Sequence, residues 1–128
     1  MKDNCPFCAL SHERIVLSNR HGCVIRDGFP VSPGHTLIIP VRHVGSFFDL
    51  DGDERDALLL LLDESKRRLD KELNPAGYNI GINDGAAAGQ TIPHLHIHLI
   101  PRYTADNADP RGGVRWIFPE KADYWSKR

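Results

Sequence analysis

The sequence lacks several features that define large classes of protein. It has no run of about 18 apolar residues, which a membrane-spanning helix requires, and no basic segment followed by an apolar one near Met1. Lys and Arg nearly balance Asp and Glu, so the formal net charge is -1 and there is no broad basic surface for nucleic acid. We therefore expect a cytoplasmic protein with no membrane partner and no sequence-specific nucleic acid partner.

Cysteine is also scarce, with three residues in 128, an odd number that does not fit an extracellular disulfide framework. Cys5 and Cys8 form a Cys-x-x-Cys turn, which supplies two thiolates to a zinc ion that two histidines from elsewhere would complete. A redox pair has the same spacing, and free thiols are a further alternative. We favour zinc, and we expect Cys23, in a predicted strand, to be buried.

The length and an apolar content of 41% predict a single domain over residues 1–128, with a core over 1–102 and an irregular tail over 103–128. Alternating or apolar segments between turn residues predict five strands, at residues 14–18, 22–27, 35–40, 78–83 and 94–100. The tail is rich in Asp, Asn, Pro and Gly. Its apolar patch is expected to pack on the core or on a partner subunit: Trp116, Ile117 and Phe118.

One long amphipathic helix is predicted between the third and fourth strands. Asp51 is a good N-cap, and Glu54, three residues later, completes a capping box. Residues 74–77 end the helix with Asn, Pro and Gly. Four leucines repeat at helical spacing, Leu58, Leu62, Leu69 and Leu73. We therefore expect an α+β fold, in which this helix covers the apolar face of an antiparallel five-stranded sheet.

The most informative segment is residues 94–100, in which three histidines alternate with aliphatic residues. Period-two alternation predicts a half-buried strand with His94, His96 and His98 on one face. Such a row can hold a metal, supply general acids and bases, or present a nucleophile with its supporting groups. We favour the third option, with His96 attacking a phosphorus atom, over a metal bound by all three rings.

The loop before this segment contains glycines and small side chains that let backbone N–H groups approach an anion. Gln90 can donate a hydrogen bond to a phosphate oxygen that gains charge in the transition state. Alternatively, Gly85 and Gly89 simply serve a turn. Their position directly before the histidines favours a phosphate site.

Residues 94–100 resemble the His-φ-His-φ-His-φ-φ signature of the histidine triad (HIT) superfamily, where φ is an apolar residue. Residues 33–40, Pro-Gly-His-Thr-Leu-Ile-Ile-Pro, and residues 89–91, Gly-Gln-Thr, resemble its other recurring segments. The likeness runs in order from Cys5 to about Arg102. It implies a HIT-like α+β domain and a homodimeric nucleotidyl hydrolase or transferase that passes through a nucleotidyl-histidine intermediate.

The resemblance also implies roles for individual residues. His96 is the nucleophile by its position in the motif, and Asp27 holds the ribose hydroxyls. Two further sets are implied, one around the base, Phe7, Ile25, His35 and Leu37, and one at the phosphate, Asn83, Gln90 and His98. Some bacterial members carry zinc on a set that corresponds to Cys5, Cys8, His43 and His94. Asp27 could instead be a solvated turn residue, and His35 a histidine that merely starts a strand.

Three functions remain open at this point. The pattern from residue 90 to 102 is most similar to the branch that cleaves dinucleoside polyphosphates, whereas phosphoramidase members usually carry Ser where Gln90 stands. A second hypothesis is an adenosine phosphoramidase-type hydrolase. A third is a nucleotide-binding regulatory protein whose activity is incidental. The expected ligands are a nucleotide substrate and a structural zinc ion.

Overall fold

The computed structural model describes residues 4–127, and its regular part is one antiparallel sheet with a single long helix. Every neighbouring pair of strands is antiparallel, in the order β1-β2-β3-β5-β4. This confirms the predicted α+β fold. The expectation about a leader rests partly on residues 1–3, which lie outside the described residues. The elements are β1 (Ile15–Ser18), β2 (Gly22–Arg26), β3 (Thr36–Pro40), α1 (Gly52–Leu73), β4 (Gly77–Gly81) and β5 (Ile97–Arg102).

Helix α1 begins at the predicted capping box. The Asp51 carboxylate accepts a hydrogen bond from the Glu54 backbone N–H at 2.8 Å, and the Glu54 carboxylate accepts one from the Asp51 N–H at 3.0 Å. The Arg42 guanidinium donates two more hydrogen bonds to Glu54, and together these contacts lower the pKa of Glu54 to about 2. The helix ends at Asn74, whose φ of 47° is left-handed.

The buried face of α1 differs in part from the predicted leucine stripe. Leu62 is only half-buried and Leu73 is 41% exposed. Leu62 lies about 100° around the helix from Leu61, at the margin of the stripe, and Leu73 lies in the last turn. The buried residues are Glu54, Leu58, Leu61, Ser65 and Leu69.

Both faces of the central strands are covered. On the helix side, Val24 and Ile38 join a core that includes Leu58, Leu69 and Leu99. On the other side, a second apolar cluster lies under the segment that precedes β1. It consists of Cys23, Ile25, Leu37 and Ile39, with Phe7, Leu10 and Ile15 packed against it. The burial predicted for Cys23 is confirmed, since this residue is 8% exposed.

Strand β5 is shorter than predicted, because it begins at Ile97 rather than at residue 94. Pro93 has no N–H to donate, and the Leu95 N–H donates to the Val44 carbonyl at 2.7 Å instead of to a neighbouring strand. Buried and half-exposed side chains nevertheless alternate from Leu95 onward, whereas His94 and Leu95 are both buried. His96 and His98 keep their common face, and His94 and His96 both contact the Phe7 ring, although only His98 lies in the strand.

The tail, residues 103–127, contains no strand and no α-helix, and its regular parts are three 3-10 turns at Gly113–Ile117, Pro119–Lys121 and Trp125–Lys127. Its apolar patch is largely exposed, with Trp116 at 43%, Ile117 at 79% and Phe118 at 59%. The patch does not join the core, and its contact with a partner subunit stays a prediction. None of the helices found in residues 4–127 is both long and apolar enough for a membrane span.

Candidate active site

The backbone fixes the tautomer of His96, the middle histidine of the row. Its Nδ1 lies 3.0 Å from the carbonyl oxygen of His94. A carbonyl oxygen only accepts hydrogen bonds, so Nδ1 carries the proton and Nε2 keeps its lone pair. The Phe7 ring packs against this imidazole with ring centroids 5.1 Å apart. His96 is therefore held as an oriented imidazole with one unprotonated nitrogen, which is what nucleophilic attack requires.

A second chain of hydrogen bonds fixes His98. The Val31 N–H donates to His35 Nδ1 at 3.2 Å, so the proton of the neutral His35 ring is on Nε2. This nitrogen lies 2.9 Å from His98 Nδ1 and 3.4 Å from a carboxylate oxygen of Asp27. His98 Nδ1 therefore accepts from His35. The neutral His98 ring carries its own proton on Nε2, where it is available to an oxygen of a ligand.

Burial favours the uncharged form of both of these rings. It lowers the pKa of His98 to about 4, and the neighbouring His96 and His35 rings act in the same direction. Burial also lowers the pKa of His35, against the opposing effect of the Asp27 carboxylate. At neutral pH, His98 acts as a hydrogen-bond donor and not as a cation.

The rings open into a cavity of about 620 Å³ on the face of the sheet opposite α1. Ile25 does not line it, because this side chain is fully buried in the second apolar cluster beside Leu37. Gln90 is also absent from the lining. The structure thus brings most of the predicted substrate site together around one cavity, lined by Phe7, Asp27, His35, Leu37, Asn83, His96 and His98.

Sequence reasoning missed several residues that line the same cavity. Arg14, in the 3-10 turn before β1, brings a positive charge to it, and no local pattern marks this residue. Phe29 is 90% exposed at the cavity and stands in a turn that the sequence marks only by Gly28 and Pro30. The one feature of the sequence that could have indicated a role for Phe29 is the presence of a large aromatic residue inside a turn. Thr91 completes the wall next to the glycine loop.

The Gln90 side chain is engaged by the loop that carries it. Its carbonyl oxygen accepts a hydrogen bond from the Gly85 N–H at 2.8 Å, and its amide donates to the carbonyls of Gly45 at 2.9 Å and Ile92 at 3.2 Å. Gly85 and Gly89 both have positive φ, as the turn alternative requires. The phosphate contact expected of Gln90 stays a prediction, and the contacts seen are those of a residue that shapes the loop.

Four predicted metal ligands form a compact cluster: Cys5, Cys8, His43 and His94. The Cys8 Sγ is 3.1 Å from His43 Nδ1, the Cys5 Sγ is 3.3 Å from His94 Nδ1, and the two Nδ1 atoms are 3.2 Å apart. Ligand atoms about 2.0–2.3 Å from a tetrahedral zinc ion lie about 3.3–3.8 Å from one another. Two thiols and two imidazoles at this spacing fit zinc.

His94 is prepared for metal binding by its other nitrogen. Its Nε2 lies 2.9 Å from the Pro40 carbonyl oxygen, so Nε2 donates and Nδ1 keeps a lone pair toward the thiols. A metal-bound histidine usually makes such a bond to a carbonyl or carboxylate. This arrangement also argues against one metal held by the whole histidine row. The ligand clusters found in residues 4–127 divide His94 and His98 between two groups and leave His96 out of both.

Comparison with known proteins is consistent with this geometry. The model of the HIT domain matches residues 10–105, most of the chain. The chain therefore belongs to the HIT family, as the resemblance of its histidine motif implied.

Individual relatives differ in how much is known of them. The chain is 38% identical over 105 residues to an uncharacterized 16.1 kDa HIT-like protein of Mycoplasma pneumoniae, covering 79% of this chain and 73% of that protein. It is 43% identical over 77 residues to the asymmetrical bis(5'-nucleosyl)-tetraphosphatase of Schizosaccharomyces pombe, covering 60% of this chain and 42% of that protein. Some HIT relatives are therefore dinucleoside polyphosphate hydrolases.

A solved structure bears on the metal cluster. A zinc-bound histidine triad family protein from Mycobacterium smegmatis superimposes with a TM-score of 0.73 at 30% identity, covering 83% of this chain and 80% of that one. The Cys5, Cys8, His43 and His94 cluster can hold a metal, and a family member with zinc exists.

Proposed function

We propose that this protein is a nucleotide hydrolase or nucleotidyl transferase that cleaves the phosphate linkage next to a nucleoside, as in a dinucleoside polyphosphate. The observation that carries the proposal is the hydrogen bond from His96 Nδ1 to the His94 carbonyl, which leaves Nε2 as a free nucleophile beside a nucleotide-sized cavity. The hydrolases among the HIT relatives support the substrate class.

The reaction has two steps. In the first, the His96 Nε2 lone pair forms a bond to the phosphorus next to the nucleoside, and the bond from that phosphorus to the bridging oxygen breaks, its electron pair leaving with the remaining phosphate chain. The Nε2–H of His98 donates to an oxygen that gains negative charge. In the second step, water attacks the same phosphorus and releases a proton to the solvent, the P–N bond returns its electron pair to His96 Nε2, and a mononucleotide leaves.

The remaining lining residues select the nucleotide in this proposal. Phe7 and Leu37 supply apolar surface for the base. One oxygen of the Asp27 carboxylate accepts a hydrogen bond from the Phe29 N–H. The carboxylate retains lone pairs that can accept hydrogen bonds from two ribose hydroxyls. Asn83 contacts the phosphates, and Gln90 shapes the loop beside them.

We also propose that the Cys5, Cys8, His43 and His94 cluster binds zinc as a structural ion. When bound, zinc would fix the segment before β1 to the sheet. Phe7 lies between the two cysteines in the sequence and contacts the rings of His94 and His96. The cluster therefore positions one wall of the base pocket without taking part in the reaction.

A homodimer completes the proposal. Strand β4 lies at one edge of the sheet. Two aliphatic side chains are exposed, Ile80 on β4 at 52% and Leu60 on α1 at 65%. An open strand edge with exposed aliphatic side chains is a surface that a second copy can cover. Sedimentation velocity should give twice the mass of one chain, and a monomer at micromolar concentration would refute this part.

The covalent intermediate provides the direct test. After brief mixing with diadenosine tetraphosphate and quenching, intact-mass spectrometry should show the protein carrying one adenylate group at an acid-labile linkage. His96→Ala should carry none and should lose at least about 10³-fold in kcat. Full turnover of diadenosine tetraphosphate by His96→Ala would refute the mechanism. Faster adenylation from an adenosine phosphoramidate would assign the chain to the phosphoramidase class instead.

A further inference from the structure

A second cavity of about 400 Å³ lies on the same face of the sheet as the candidate active site. Its floor is formed by Asn79 on β4 and by Ile100 and Arg102 on β5. Asn79 and Ile100 are paired across these two strands. Val31 lines both cavities. The two cavities are therefore neighbours that share one wall.

The strand sets the separation of the two cavities. His98 lines the first, and Arg102, four residues further along, lines the second. Residues at i, i+2 and i+4 of a strand share a face, and a strand rises about 3.4 Å per residue, so the Cα atoms of His98 and Arg102 lie about 14 Å apart. An extended polyphosphate chain together with its distal ribose and base spans such a distance, so one ligand can reach both cavities.

Hydrogen bonds hold the walls of the second cavity in place. The Tyr103 hydroxyl donates to the Pro33 carbonyl oxygen at 2.7 Å, which joins the tail to the turn before β3. The indole Nε1–H of Trp116 donates to the Arg111 carbonyl at 2.7 Å, which fixes the orientation of that ring. The tail therefore presents a large aromatic side chain, 43% exposed, from a fixed backbone.

The cavity is electrically neutral. Arg102 donates two hydrogen bonds to the Asp106 carboxylate, both at 2.8 Å, and a third to Asn79 Oδ1 at 2.7 Å. The negative charge of the Asp106 carboxylate thus neutralises the positive charge of the Arg102 guanidinium inside the cavity. The Arg102 contact engages the Oδ1 atom of Asn79, and no hydrogen bond donated by its Nδ2 group is found within residues 4–127. An uncharged planar ligand with an acceptor atom fits these groups better than a phosphate does.

We propose that this second cavity binds the distal nucleoside of a dinucleoside polyphosphate, with its base stacked against Trp116. This inference rests on the proposed function, because the proximal nucleotide must occupy the first cavity. The Asn79 amide offers a hydrogen bond to an acceptor on the base, and Val31 separates the two nucleosides. Stacking on an indole tolerates any base, since every base has a π face.

Two substrates with the same number of phosphates, one with and one without the distal nucleoside, test this inference. Diadenosine tetraphosphate has it and adenosine 5'-tetraphosphate lacks it. Trp116→Ala should raise KM for diadenosine tetraphosphate about tenfold, leave kcat within about twofold, and leave both constants unchanged for adenosine tetraphosphate. Trp116→Phe should restore most of the affinity because it keeps an aromatic face.

Phe118→Ala is the matched control, since Phe118 is an exposed aromatic residue of the same tail that does not line this cavity. It should change neither KM. Binding of the methylene-bridged analogues of both ligands, measured by titration calorimetry, gives the same comparison without turnover. Equal effects of Trp116→Ala on both ligands, or no effect on either, would overturn the second subsite. A missing adenylate on His96 would instead overturn the proposed function.

Discussion

His94 serves the fold and the candidate site through three different atoms. Its Nε2 donates to the Pro40 carbonyl, its Nδ1 faces the two thiols, and its carbonyl oxygen accepts from His96. Both ring nitrogens of His35 also form hydrogen bonds. Its Nδ1 accepts from the Val31 backbone N–H, and its Nε2 donates to His98. Each of these imidazoles is assigned a single tautomer by a backbone partner, which prepares the site before any ligand arrives.

The lowered pKa of His98 predicts how stability depends on pH. The ring titrates at about 4 in the folded protein and at about 6.5 when unfolded, so between these values only the unfolded chain binds the proton. The contribution of His98 is complete above pH 6.5 and falls by up to about 1.4 kcal/mol per pH unit on acidification toward pH 4. Urea unfolding at pH 7.5, 6.0 and 5.0 measures this loss in the free energy of unfolding.

The control for this prediction is His98→Asn, which removes the titrating group and keeps a polar side chain. Other groups, including the metal cluster, also respond to acid, so the difference between the two slopes is the relevant quantity. The wild-type free energy of unfolding should fall more steeply than that of the variant between pH 6.5 and 5. Parallel slopes would contradict the assignment of a depressed pKa to His98.

Among single residues, the sequence predicted those with a local pattern. The row of histidines and the Cys-x-x-Cys turn have fixed spacing, which marked them as candidates, and the resemblance to the HIT superfamily assigned His94 to the metal set and His96 and His98 to the substrate site. Arg14 and Phe29 carry no such pattern, because only the tertiary packing of the turns brings them to the cavity. For the same reason the hydrogen bonds of Gln90 to its own loop were not visible in the sequence.

At the scale of elements, the contact between α1 and the sheet depends on a glycine. A Cβ built on Gly22 of β2 would lie 2.5 Å from Leu58 Cδ2 and 2.9 Å from Leu61 Cδ1, and 3.1 Å from the Ile39 carbonyl oxygen. The two leucines belong to the buried stripe of α1, and the carbonyl belongs to β3. The helix therefore approaches the sheet as closely as a residue without a side chain permits.

Gly22→Ala should lower the free energy of unfolding by about 1–3 kcal/mol, because the added methyl group overpacks this contact. Gly77→Ala is the control, since Gly77 also lies in a strand and nothing lies within 4 Å of its added Cβ. Chemical denaturation of both variants measures the difference. Equal stability of the two would show that α1 adjusts its position freely.

Structural features that depend on contacts between neighbouring residues in the sequence were predicted, whereas features that depend on distant contacts were not. The capping box at Asp51 and Glu54 is local, and it was predicted to the residue. The start of β5 was not, since it depends on the Leu95 N–H, which bonds to Val44 about fifty residues away in the chain. The buried stripe of α1 was predicted only in part, because the sheet decides which leucines lie over it.

At the scale of the whole molecule, the cluster that we propose to bind zinc joins three segments that are distant in the sequence. Cys5 and Cys8 precede β1, His43 follows β3, and His94 precedes β5. Beyond this cluster, the second apolar layer under Phe7 and Leu10 is the main contact of the segment before β1 with the sheet. The position of that segment should therefore depend on the metal.

The purified protein should contain about one zinc ion per chain, and chelation should lower Tm by roughly 5–10 °C. Cys5→Ser should lose the metal and reproduce that lower Tm. Cys23→Ser is the control, because Cys23 is buried in the second apolar cluster away from the ligands, so it should keep the metal. Atomic absorption and differential scanning calorimetry measure the two quantities. Wild-type protein without zinc after growth in zinc-supplemented medium would contradict the prediction.

The wall that Val31 contributes to both cavities has a consequence for ligand size. Because His98 lines one cavity and Arg102 the other, the spacing of these two residues along β5 sets the distance between the cavities. A molecule that fills both must carry a linker matching this gap; a shorter one leaves one end empty, and a longer one must bulge into solvent. In the proposed binding mode, the sheet therefore selects ligands by the number of their bridging phosphates more than by the identity of their bases.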